Sequence, residues 1–259
     1  MSNLCLIDLY NKTSKHSHYQ VLATPLKEII PVDMQNIRSR WERERLDFIL
    51  NNLPYKDVSI ADIGGNTGYF TLELIYRGAR TALFFEGNKT HSSFVREAIS
   101  VLGWQDKVQI YPYYMTFKDD ISLIDVDVTL LLNVLHHVGD DYGDQSQSII
   151  DAKRNILHSL SLLSYRSKYL VFQLGFNWKG DKDSPLFEKG TKKELIDFIA
   201  HGVRDSWLIE HIGIAEKEND RVFYNELDAD NIQRKDSLGE FLNRPLFIMK
   251  SKLYGKEIT

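Results

Sequence analysis

The stretch Asp62-Ile63-Gly64-Gly65-Asn66-Thr67-Gly68 sets an acid ahead of a run of small, turn-forming residues, and Tyr69-Phe70 follow at once. Glycine permits both a sharp turn and the close approach of backbone to a ligand, and Asn is the next most tolerant residue where φ is positive. Further along, Phe84-Phe85-Glu86-Gly87-Asn88 supplies a second acid, Glu86, whose carboxylate can accept hydrogen bonds from both hydroxyls of a ribose. Turns that hold a nucleotide pyrophosphate seat it on helix amides, where an extra carboxylate would repel it. Here Asp62 leads the turn, which suits a ligand with a positive amino group and no phosphate. S-adenosylmethionine, with its ammonium, carboxylate, ribose, adenine and sulfonium, has that character. A purely structural Gly-rich turn is the rival reading. Position, leading acid and second-strand glutamate together favour the ligand site.

A second cluster is Asn133-Val134-Leu135-His136-His137-Val138. Histidine has the pKa to take a proton from a hydroxyl, so His136 and His137 are candidate general bases; the bland alternative is that they position a ligand or cap a turn. Asp140, Asp141 and Asp144 follow closely. They could hold a divalent cation, but a solvated loop is the simpler reading and no metal is expected.

These residues can meet only if the chain alternates strands and helices. Apolar strands are expected at 58–63, 81–86, 108–111, 127–133 and 168–174, with helices at 69–77, 91–102 and 147–163 between them. Strands apolar throughout, separated by helices, require a parallel sheet covered on both faces. An amphipathic helix at 34–52, stopped by Pro54, precedes the block; a helix at 191–200 and strands at 207–213 and 245–250 follow it. The pattern predicts an α/β fold, a doubly wound, mostly parallel, seven-stranded sheet with an N-terminal helical extension. Residues 1–33 read as an extension or lid and 34–259 as the main domain. In such sheets ligands bind at the carboxyl ends of the strands, where both clusters fall.

Composition narrows the function classes. The 259 residues carry 32 Lys+Arg against 36 Asp+Glu, a net charge of −4, with no obvious basic stripe, so no nucleic-acid partner is expected. Cys5 is the only cysteine, which excludes a disulfide framework or a thiolate zinc cluster. The apolar runs are too short for a membrane span, and no signal peptide is evident, so a cytoplasmic location is expected.

With these motifs in hand, the chain resembles class I S-adenosylmethionine-dependent methyltransferases over roughly residues 38–174. Asp62, Gly64, Asn66 and Gly68 match the acid-x-Gly-x-Gly-x-Gly motif, with Asn66 in place of the middle glycine, and Glu86 matches the ribose-binding acid. The resemblance implies S-adenosylmethionine as cofactor, held by Asp62, Gly64, Gly65, Asn66, Gly68, Glu86, Gly87 and Asn133. The third-strand region departs from the pattern: Pro112-Tyr113-Tyr114-Met115-Thr116 stands where members often have an Asp, which leaves adenine to backbone groups and to Tyr114 or Met115. The wording Asp-Ile-Gly-Gly-Asn-Thr-Gly-Tyr-Phe and the preceding His-Ser-His-Tyr-Gln are similar to bacterial polysaccharide and O-antigen-modifying methyltransferases. A fainter similarity is to carboxy-S-adenosylmethionine-dependent tRNA uridine modifiers.

The implied activity is O-methylation of a sugar, glycan intermediate or other small hydroxylated metabolite. The alternatives are a tRNA-modifying methyltransferase of the same fold and a catalytically silent cofactor-binding protein. Candidates for gripping the acceptor are His16, His18, Tyr19 and Gln20, as a lid, and Gln173, Phe176, Asn177 and Trp178 after the fifth strand. Arg38, Arg40, Arg43 and Arg45 could meet a phosphate or carboxylate; the simpler reading of that run is a solvated helix face.

Overall fold

The structure, a computed structural model, describes residues 3–12, 19–30, 39–140, 143–144 and 146–257. Helix α1 (Asn3–Asn11) and α2 (Glu42–Asn52) precede β1 (Ser59–Ile63), α3 (Tyr69–Tyr76), β2 (Thr81–Phe85), α4 (Lys89–Val101) and β3 (Val108–Tyr111). Then come β4 (Val126–Leu132), α5 (Ile149–Leu163), β5 (Ser167–Gln173), α6 (Lys192–Val203), β6 (Trp207–Glu218), β7 (Arg221–Glu226), the short α7 (Gly239–Leu242) and β8 (Leu246–Ser251).

The strands form one sheet in the order β3-β2-β1-β4-β5-β8-β6-β7. The first five are mutually parallel, as the apolar runs predict. β8 runs antiparallel to both β5 and β6. The sheet has eight strands rather than the expected seven, because the chain turns back at Asn219-Asp220 and adds β7 antiparallel to β6. Asn219 and Asp220 both sit at positive φ, 46° and 64°. That is the two-residue turn whose twist suits a hairpin, and an Asn-Asp pair between strand-like runs is its sequence signal.

Strand side chains alternate between two apolar layers. Phe84, Leu130, Val171 and Ile248 pack with Leu46, Ile49, Phe70, Leu72 and Phe94 on one face. Their neighbours Phe85, Leu131, Phe172 and Phe247 pack with Ile156, Leu160, Leu195, Ile199 and Trp207 on the other. Where both faces are covered, as in β1, β2, β4, β5 and β8, the strands are mostly apolar on successive residues and the period-two alternation of a one-sided sheet is lost.

The N-terminal residues join this core. Leu6, Leu22, Leu26 and Ile30 are almost fully buried in the first layer, and the Thr24 amide donates to Glu73 of α3 at 2.6 Å. The expected helix at 34–52 is seen from Glu42 only; Trp41 before it is left-handed at φ 53°, and residues 31–38 lie outside the described residues. No helix among the described residues is long and apolar enough to cross a membrane.

Candidate functional site

A cleft of about 400 Å³ opens at the carboxyl ends of β1, β2 and β4. The turn between β1 and α3 forms its floor. Gly64 has φ +71°, and a Cβ there would stand 2.5 Å from Val134 Cγ2; at Gly65 it would stand 2.3 Å from the ring of Phe84. No side chain fits at either point, so the turn lies flat against the sheet edge with its backbone bare to the cleft. Asn66 occupies the left-handed region at φ 55°, which Asn tolerates where most residues do not.

Glu86 follows β2 and locks the neighbouring loops together. One carboxylate oxygen accepts the Asn66 amide at 2.8 Å and the other the Asn88 amide at 2.7 Å. Asn88 in turn caps α4 by accepting from the Thr90 and His91 amides. Tyr114 lines the cleft with its ring packed over Gly87, leaving no room for a side chain at that position. Met115 instead points into the second apolar layer and is 3% exposed.

Asp62, at the end of β1, is buried but lines the cleft. Its carboxylate accepts the Thr71 hydroxyl at 2.7 Å. Burial pushes its pKa up from 3.8 to about 6, against the pull of Thr71 and the nearby Arg45 charge. An acid raised in the folded state costs stability as pH climbs from its unfolded value to its folded one, here from 3.8 to about 6. The loss is on the order of 3 kcal/mol across that window. Asp62→Asn is therefore expected to flatten the fall in unfolding free energy between about pH 4 and pH 6. Equal slopes for both proteins in denaturant titrations would show that Asp62 does not carry this cost.

The N-terminal segment closes on the same turn. Gln20 Oε1 accepts from the Thr67 hydroxyl at 3.1 Å and from the Tyr69 amide at 3.2 Å. Gly68, at the start of α3, has no side chain to cap it, so Gln20 satisfies an amide that the helix leaves open. Tyr19 and Gln20 both line the cleft. His16 and His18 lie outside the described residues.

Beyond β4 and β5 the lining is a polar network. Asn133 is left-handed at φ 62°; its amide nitrogen donates to Gln173 Oε1 at 2.8 Å, and its Oδ1 accepts from Arg244 at 2.7 Å. Gln173 is completely buried and also donates to the Arg244 carbonyl at 3.0 Å. Sequence reasoning placed Gln173 and Trp178 against an acceptor. The structure puts Gln173 behind the wall, where it orients Asn133, and gives the Trp178 indole to the Val138 carbonyl at 2.6 Å.

His136 and His137 both line the cleft, their rings 4.3 Å apart. His136 is buried, and its Nδ1 accepts the Gly175 amide at 3.2 Å. A neutral ring in that setting carries its proton on Nε2 and has its one lone pair engaged. His137 is more open, with Nδ1 3.7 Å from Asp140 Oδ2. Asp141 lies outside the described residues, and among the described residues no group of three or more His, Cys, Asp or Glu side chains could hold a metal ion.

Sequence reasoning gave no part to Arg244, Glu240 and Phe241, which also line the cleft. Only the antiparallel course of β8 brings them there: Leu246, its first residue, pairs with Gln173, the last of β5. It offered Arg45, with Arg38, Arg40 and Arg43, as a group that could meet a phosphate or carboxylate, with a solvated helix face as the simpler reading. In the structure Arg45 and Glu42 are buried on the cleft side of α2, whereas Arg43 is exposed and Arg38 lies outside the described residues.

A Gly-rich turn after β1, an acid after β2 and a reversed strand beside β5, at the carboxyl edge of this sheet, define the Rossmann-like fold of class I methyltransferases. Solved structures share it. The chain is similar to WbdD in a high-resolution crystal structure (14% identity, 95% of this chain, 46% of that one, TM-score 0.57) and in a complex with a kinase inhibitor (15%, 95%, 47%, 0.56). It thus spans under half the length of those chains. A weaker likeness is to a putative RNA methyltransferase from Pyrococcus horikoshii (12% identity, 80% of this chain, 81% of that one, TM-score 0.47). No protein-family model and no curated protein matches the sequence.

Proposed function

We propose that the protein is an S-adenosylmethionine-dependent methyltransferase that methylates a hydroxyl of a sugar, glycan intermediate or other small metabolite. The observation that carries the reading is the pairing of a bare glycine turn with Glu86 across the mouths of β1 and β2. The residues fit the cofactor. Glu86 would take the ribose hydroxyls, the ring of Tyr114 the adenine, and Asp62 with Asn133 the amino-acid end.

The bound cofactor would supply a methyl group on a sulfonium, already activated for transfer to an oxygen and leaving a thioether. The protein then has to orient the acceptor, exclude water and remove one proton. Of the two histidines, His137 suits the last task. Its Nδ1 faces Asp140 Oδ2 at 3.7 Å, a carboxylate that would stabilise the imidazolium formed when the ring takes a proton. His136, held by Gly175, acts as a wall that fixes His137 from behind.

His137→Ala is expected to lower kcat about a hundredfold while leaving S-adenosylhomocysteine affinity within about twofold. His136→Ala should disturb both. The measurement is mass-spectrometric detection of methyl gain across nucleotide-sugars, glycans and tRNA, followed by kinetics on whichever acceptor responds. Full turnover by His137→Ala would remove it as the base. Methyl gain on tRNA alone would replace the acceptor class, and cofactor binding without any methyl gain would favour the silent binding protein.

A further inference from the structure

We infer that the cleft contains a separate oxyanion subsite, built by Arg40, Arg45 and Arg244 around the ring of Phe241, which grips a phosphate or carboxylate on the acceptor. This rests on the methyl-transfer reading for the word acceptor, and on the geometry alone for the subsite. The three guanidinium carbons lie 5.1, 5.2 and 5.1 Å from the centre of the Phe241 ring. Arg40 also covers Tyr19 at 4.8 Å, and Arg45 covers Phe70 at 5.1 Å. All three arginines line the cleft.

Like charges gathered on one ring repel unless something balances them. Two neighbouring acids offset part of that charge, and Asp62 stands near Arg45. Glu240 binds Arg244 and accepts the Phe176 amide. Glu42 accepts the Ser39 hydroxyl and the Arg40 amide, both at 2.8 Å, and reaches Arg45 only at 3.7 Å. Arg45 is the telling member. It is 3% exposed, its one hydrogen bond to Gln173 is long at 3.3 Å, and its Nε has no hydrogen-bond partner among the described residues. A buried guanidinium donor without a partner is costly, and Arg45 is among the residues that line the cleft. The planar fork matches the oxygens of phosphate or carboxylate.

Position sets the subsite apart from the ribose end of the cofactor, and the acceptor is the anion's source in this proposal. Arg45 and Arg244 are fixed through Gln173 and Asn133 at the ends of β5 and β4. Glu86 stands at the end of β2, three strands from β5 in the order β2-β1-β4-β5, a span of about 14 Å at the usual strand spacing. The subsite is thus on the His137 side of the cleft, away from the ribose-binding acid. The rival occupant is the carboxylate of the cofactor's own amino-acid end.

Calorimetric titration of inorganic phosphate, and of acetate, into the full chain with and without saturating S-adenosylhomocysteine tests this. Saturable binding of either anion to the nucleoside-loaded protein is expected, weakened about tenfold in Arg40→Gln and in Arg45→Met. The tighter anion names the acceptor's group. Arg40→Gln leaves α2 intact, so a misfolded Arg45→Met does not blunt the test. Absence of anion binding in wild type, or equal binding in wild type and Arg40→Gln, overturns the subsite. So does mutual exclusion of phosphate and S-adenosylhomocysteine with Arg40→Gln weakening the nucleoside, because the arginines then hold the cofactor's carboxylate. Anion binding by a protein that never binds S-adenosylhomocysteine keeps the subsite and discards the methyl-transfer reading instead.

Discussion

Glu86→Ala is expected to weaken S-adenosylhomocysteine binding about a hundredfold in calorimetry. The carboxylate already accepts the Asn66 and Asn88 amides at 2.8 and 2.7 Å. An ionised carboxylate has about four acceptor sites and is a group suited to holding two ribose hydroxyls. Each charge-assisted hydrogen bond contributes about 1.5–3 kcal/mol, and losing two at the low end of that range, about 3 kcal/mol, gives the stated factor. Removing the carboxylate also frees the two loops it ties, which adds to the loss. Glu86→Gln keeps one acceptor oxygen and should fall between the two. An unchanged dissociation constant in Glu86→Ala would end the cofactor assignment, whatever the fold resembles.

The second large effect is on stability. Gly64→Ala is expected to cost about 3 kcal/mol in urea unfolding, from two separable sources. The left-handed backbone at φ +71° penalises any Cβ by about 1–2 kcal/mol. The added carbon would also stand 2.5 Å from Val134 Cγ2, an overpacking that costs about 1–3 kcal/mol. Gly103 is the control, since it has φ +70° and nothing within 4 Å of an added Cβ. Gly103→Ala should therefore show the backbone cost alone, about 1 kcal/mol. Pairing Gly64→Ala with Val134→Ala should recover the packing part. Equal losses at Gly64 and Gly103 would mean that the turn does not press on the β4 loop as described.

Much of this cleft is legible in the amino-acid sequence, and the reason is local. The Asp62–Gly68 turn, Glu86 and His136-His137 each follow directly on an apolar strand, so finding the strand places them at its carboxyl end. Asn66 at positive φ is likewise a local property of its residue type. What stayed hidden depends on contacts between distant segments. Arg244 and Phe241 precede a strand whose direction relative to β5 no period reveals, and that direction alone brings them to the cleft. Arg45 sits among charged neighbours that read most simply as the solvated face of an amphipathic helix, yet it faces Phe70 and Phe241. Gln173 looked like a residue facing a ligand because it ends a strand. Its burial follows from the insertion of β8 beside it.

That insertion also fixes an order of events during synthesis. β8 lies in the interior of the sheet, between β5 and β6, yet it is made after all seven other strands. Until Leu246–Ser251 has been translated, β5 is a bare apolar edge of the kind that recruits stray strands, and β6 has no partner on that side. Glu240, Phe241 and Arg244, just ahead of that segment, also line the cleft. Sheet closure and completion of the cleft wall therefore depend on neighbouring stretches of chain. A nascent chain stopped short of Leu246 is a template for aggregation as well as an incomplete site, so newly made protein is most exposed to misassembly just before it becomes able to bind.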